Sequence, residues 1–88
     1  MKNKLKRRSK FVIMAEVIGI AKEGAPKTQI MYKAKLDFSQ LKQYLAFLSH
    51  HKLLKKCARA GREIYKATPK GIEFMEKQWQ VINLLKQL

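Results

Sequence analysis

The stretch "LDFSQLKQYLAFLSHH", residues 36–51, leaves the chain the fewest options. Asp37 followed three residues later by Gln40 is a capping-box pattern in its Asp form, in which each side chain satisfies a backbone amide that helix geometry leaves open. Behind it Leu41, Tyr44, Leu45 and Leu48 recur on one face, which predicts a helix from residue 38 that buries this stripe. Ser39, Gln40, Lys42, Gln43 and Ala46 face the other way. One side of the helix must cover a core while the other offers a polar surface.

The neighbouring segments supply that core. After "GAPK", Thr28 can cap a short helix "TQIMYKAK" with Ile30, Met31 and Ala34 turned inward; it is too short to persist alone in water. Upstream, Ser9 caps a first helix predicted over 10–23, where Phe11, Met14, Val17, Ile18 and Ala21 recur at helical spacing and Gly19 implies close packing. Two helices joined by a tight turn, the second polar on its free face, form the skeleton of a helix-turn-helix. Downstream, two strands are predicted over 53–58 and 62–67 around a mobile tip, where Gly61 supplies a left-handed backbone beside Arg59 and Arg62. Thr68 as N-cap with Pro69 at the first helical position then starts a last helix that runs to the end of the chain. It carries two apolar lines, Ile72, Met75, Trp79 and Ile82, and Phe74, Val81, Leu85 and Leu88. One line can cover the body; the surplus marks a seam for a second copy, assigned to Ile72, Met75, Trp79, Ile82 and Leu85.

Eighty-eight residues enclose one modest core, so this is a single α+β, mainly α-helical domain. It divides into a basic arm over 1–9, a helical body with a β-hairpin over 10–68, and the last helix over 69–88. Twenty Lys and Arg against six Asp and Glu give a net charge of +14, a self-repulsion tolerated when a polyanion neutralises it. The imbalance is local: residues 1–68 hold seventeen basic and four acidic side chains, residues 69–88 three and two. Cys57, the single cysteine, excludes an internal disulfide and fits a reducing interior. The basic start followed by "FVIMAEVIGIA" imitates a signal peptide, yet Glu16 interrupts the apolar run and no cleavage site follows, so secretion and membrane insertion are both rejected. His50, His51 and Cys57 lack the paired spacing of a metal site. No cofactor motif, small-molecule site or catalytic constellation appears, and the chain is read as non-enzymatic.

The order helix, helix, turn, helix, hairpin, helix resembles the archaeal winged helix-turn-helix family, which includes small regulators of archaea and their viruses and the Sso-ten-a type of dimeric chromatin protein. The residues that carry the resemblance are "AKEGAPKTQIMYKAKLDFSQLKQYLAFL" and "LL" with "IYKATPKGIEF", about residues 10–75. It implies a DNA-binding wing and recognition helix, with dimerisation through an antiparallel coiled coil of the last helices. Asp37 stands where the pattern more often has Ser, and the last helix is shorter than in the chromatin-type members.

On that basis Ser39, Gln40, Lys42 and Gln43 would face base edges in the major groove of double-stranded DNA. Lys27, Thr28, Lys33, Lys35, Lys55, Lys56, Arg59 and Arg62 would hold its phosphates or enter the minor groove, and Lys4, Lys6, Arg7 and Arg8 would form an arm along it. The expectation is a homodimeric, cytoplasmic, nucleoid-associated transcriptional regulator. Two alternatives stay open: a chromatin protein with little sequence choice, and a winged-helix module that binds another protein. RNA is disfavoured because the polar face of the third helix lacks aromatics suited to base stacking.

Overall fold

The computed structural model describes residues 8–86. Four helices and one hairpin follow in the order α1 (Lys10–Ile20), α2 (Lys27–Ala34), α3 (Phe38–His50), β1 (Leu54–Arg59), β2 (Arg62–Ala67) and α4 (Pro69–Lys86). Lys4, Lys6 and Arg7 of the predicted arm, and Leu88, lie outside the described residues.

Each helix start can be traced to a local bond. Ser9 Oγ accepts from Val12 N (3.2 Å) at the head of α1. Both arms of the capping box are present on α3: Gln40 N donates to Asp37 Oδ1 (2.7 Å) and Asp37 N to Gln40 Oε1 (3.2 Å). Thr68 Oγ1 accepts from Gly71 N (2.9 Å) and donates to Lys52 O (2.6 Å), which seats α4 on the end of α3.

Two ends depart from the sequence reading. α1 stops at Ile20, because the chain turns through Ala21–Glu23 and reverses at Gly24 with φ 97°. α2 starts one residue early, with Pro26 at the N-cap, so Thr28 is inside the first turn and caps nothing. It closes at Lys35, left-handed with φ 59°, where Leu36 N donates to Met31 O (3.1 Å).

The core collects Val17, Ile18, Ile30, Leu41, Leu48 and Leu54, all essentially without exposure, each worth about 1.5–3 kcal/mol of apolar transfer. α1 runs through the middle and buries Ile13, Met14, Ala15, Val17 and Ile18, more of its circumference than the single predicted stripe; Phe11 stays 51% exposed. α4 crosses α1 closely at Gly19, where a Cβ would meet Met75 Sδ at 3.4 Å. At Gly71 the approach is tighter still: a Cβ would stand 2.1 Å from Leu53 O.

These contacts correct the seam. Met75 is 9% exposed and belongs to the subunit's own core, with Ile72 and Trp79 packed half-buried against it. They anchor α4 to the body and are not a free face. What α4 leaves in solvent is Val81, Leu84 and Leu85, beyond the reach of the body.

The hairpin is antiparallel, in register from Leu54 opposite Ala67 to Arg59 opposite Arg62. Its two-residue turn has both central residues at positive φ, Ala60 at 52° as well as the expected Gly61 at 77°, the geometry that matches strand twist. β2 is also paired on its other side: Ala25 and Tyr65 exchange backbone bonds of 2.9 and 2.8 Å, and Ala67 N donates to Ala21 O (2.9 Å).

Candidate nucleic-acid interface

The capping box that starts α3 also limits its chemistry. Gln40 would need both ends of its amide to read adenine, but its oxygen already accepts from Asp37 N. Ser39, Lys42 and Gln43 are exposed and point away from the Leu41, Leu45 and Leu48 stripe. Lys42 and Gln43 diverge. Gln43 borders a groove between α1 and α3 with Lys10, Phe11, Met14 and Phe47, whereas Lys42 lines the groove between α3 and the hairpin.

Three lysines line that second groove: Lys27 from the first turn of α2, Lys42 from α3 and Lys56 from β1. Its wall includes Ser49, whose Oγ is buried and has no hydrogen-bond partner among the described residues. Lys56 also lies 3.6 Å from Glu63 Oε2, but both side chains are more than half exposed, so the pair is worth little and can exchange for a phosphate. The first amides of α2 face this end with no side-chain cap.

Lys33 and Lys35 are elsewhere. They line a hollow with Arg8, Glu16, Gly19 and Trp79 on the far side of α1. Arg8, assigned to the arm, forms an ion pair with Glu16 and reaches Lys35 O (3.5 Å). The sequence grouped Lys27, Lys33 and Lys35 by nearness along the chain; six residues of helix put Lys33 on a different side of α2 from Lys27, and Lys35 follows at its C-terminal end.

The wing is tied down more firmly than a mobile tip. Arg59 Nη2 donates to Glu23 O (2.8 Å) and covers Gly24, where a Cβ would meet that nitrogen at 2.8 Å. Arg62 stands opposite Arg59 in the register and borders the same hollow, with Gly24, Pro26 and Gln29. Lys55 and Arg62 are exposed and make no ion pair among the described residues. At the other end of α3, the His51 ring packs on Phe47 (4.3 Å between centroids) and its carbonyl accepts from Lys70 Nζ (3.2 Å). Cys57 is half-buried on β1. Among the described residues no cluster of His, Cys, Asp and Glu can hold a metal, and no helix is long and apolar enough to cross a membrane.

The expected lack of aromatics on α3 is overturned. Phe38 is 58% exposed with Lys42 Nζ 5.5 Å from its ring centroid, and Phe47 further along α3 is exposed as well. Phe38 shares the first turn of α3 with Leu41, which is buried at 1% exposure, while the Phe38 ring stays in solvent.

Comparison with known proteins matches this architecture. A family model described as winged helix-turn-helix covers residues 7–86. An uncharacterized protein of Methanocaldococcus jannaschii is 29% identical over 85 residues, covering 96% of this chain and 84% of the relative. Sso10a-2, a DNA-binding protein from Sulfolobus solfataricus, superposes with a TM-score of 0.83 at 21% identity over 91% of this chain and 84% of its own. MepR, a transcription regulator of the Staphylococcus aureus multidrug efflux pump MepA, gives 0.74 at 17% identity, over 98% of this chain and 66% of its own.

Proposed function

The chain belongs to the winged helix-turn-helix family, and from that premise we propose that it is a homodimeric, non-enzymatic transcriptional regulator that binds double-stranded DNA on the nucleoid. The observation that carries this reading is that Lys27, Lys42 and Lys56 line one groove between α3 and the wing. A strand backbone seated there brings α3 into the major groove, which is wide enough to admit a helix. Ser39 and Gln43 then meet base edges, Lys42 holds a phosphate with Lys27 and Lys56, Gln40 contributes its free amide hydrogens, and Lys55 and Arg62 follow the phosphates along the wing. The descriptions of Sso10a-2 as DNA-binding and of MepR as a transcription regulator support the reading.

The dimer reading rests on α4. Val81, Leu84 and Leu85 are exposed within residues 78–85, a stretch without charge, so two copies of a strongly basic chain can meet there without opposing like charges. By helical spacing Phe74, Val81 and Leu85 share one side of α4, and Phe74 also lines a groove with Phe11, Met14 and Phe47 whose rim carries Lys70, Glu73 and Lys77. A second copy packed antiparallel covers both. One observation favours a chromatin protein with little sequence choice: Gln40, half of the expected polar readout, is committed to its cap.

The test is binding to a labelled duplex of about 25 base pairs, long enough for two half-sites one helical turn apart. If about six phosphates are neutralised, log affinity falls with log salt at a slope near −5. A flat response removes the proposal. A selected promoter bound no better than random duplex at equal salt favours the chromatin reading.

A further inference from the structure

Phe38 is the one exposed large apolar side chain on the first turn of α3, and solvent reaches more than half of it. Its neighbours in that turn are spoken for: the Asp37 carboxylate accepts from Gln40 N, and the Gln40 carbonyl accepts from Asp37 N. The leading end of the helix therefore keeps little hydrogen-bonding capacity, chiefly the Ser39 hydroxyl and the amide hydrogens of Gln40. It does present a ring, steadied by Lys42 Nζ at 5.5 Å, and Lys42 lines the basic groove beside the wing. In the major groove one base displays an apolar group, the 5-methyl of thymine.

We propose that Phe38 is a specificity-determining residue that selects thymine by packing its ring on the 5-methyl group. The inference rests on the DNA-binding reading and goes beyond it. Burial against a methyl removes an exposed aromatic from water, while Lys42, on the same flank, holds the adjacent phosphate. Preference therefore comes from apolar contact at the head of α3 and from polar contact at Gln43, a little over one turn further along the helix.

The experiment compares an alternating A·T duplex with the same duplex containing deoxyuridine in place of thymidine. Phosphates and hydrogen-bonding edges are then identical, and only the methyls differ. For the wild type the A·T duplex binds about fourfold tighter per methyl contacted. In Phe38→Ala the ratio falls to near one with the salt slope unchanged; Phe38→Leu retains part of it, and both melt like the wild type. Equal wild-type affinity for the two duplexes, with the normal salt slope, overturns the role of Phe38 and leaves DNA binding intact. A ratio that survives in Phe38→Ala overturns it too, because the methyl is then sensed elsewhere. Absence of salt-dependent binding to either duplex is instead the failure of the DNA reading, and this inference falls with it.

Discussion

The face built by α2, α3 and the wing and the distal half of α4 are opposites in one small molecule. The first gathers cations from three separate elements onto one groove, at a cost in self-repulsion that only a polyanion relieves. The second has no charge from residue 78 to 85 and leaves Leu84 and Leu85 more than 60% exposed. Neither surface helps an isolated subunit. On the proposed reading each has a partner of different chemistry, a phosphate backbone for one and a second copy for the other, and charge patterning divides the domain between them.

The two regions are joined at Gly71, which offers the largest effect. Gly71→Ala drives a Cβ into Leu53 O and should cost about 3 kcal/mol or more, lowering the melting temperature by roughly 12 °C or more in a domain of this size. A melt within two or three degrees of the wild type, about what 0.5 kcal/mol produces, would show that α4 is loosely seated. Next, Val81→Glu with Leu85→Glu should give monomers in sedimentation while the monomer fold survives, since both side chains are exposed. DNA affinity should drop about a hundredfold as two linked half-site contacts become one. Surviving dimers would place the seam elsewhere.

The third change acts on the other region. Lys27→Ala, Lys42→Ala and Lys56→Ala together should make the salt slope shallower by about 2.7 and weaken all duplexes alike, leaving the melting temperature nearly unchanged. A selective loss for one sequence would mean that these groups read bases. The smallest effect separates the wing arginines. Arg59→Ala removes the bond to Glu23 O and should destabilise the fold by about 1 kcal/mol, whereas Arg62→Ala should change only DNA affinity. Identical behaviour in melts and binding would deny the difference in their surroundings.

The elements were legible in the sequence where a local bond defines them. Asp37 with Gln40, Ser9, and Thr68 with Pro69 each announce a helix start through a side chain that caps its own chain. The hairpin was legible through Gly61, although Ala60 shares its left-handed conformation and gave no sign of it. The site was legible in composition and not in grouping. Which lysines share a groove depends on how α2, α3 and β1 pack together, and Arg59 is bonded to a carbonyl 36 positions upstream, a contact that no spacing rule encodes. Met75, assigned to the seam and found in the core, shows the limit of periodicity: helical period fixes a face, but the reach of the neighbouring elements decides whether that face is covered.

The division between the two regions is tested most directly by amide chemical-shift mapping as a short duplex is titrated into the intact protein. The account predicts that perturbed amides lie at the start of α2, along α3 and on the wing, with residues 78–86 unmoved. Shifts centred on the distal half of α4, or spread evenly over the domain, would contradict it.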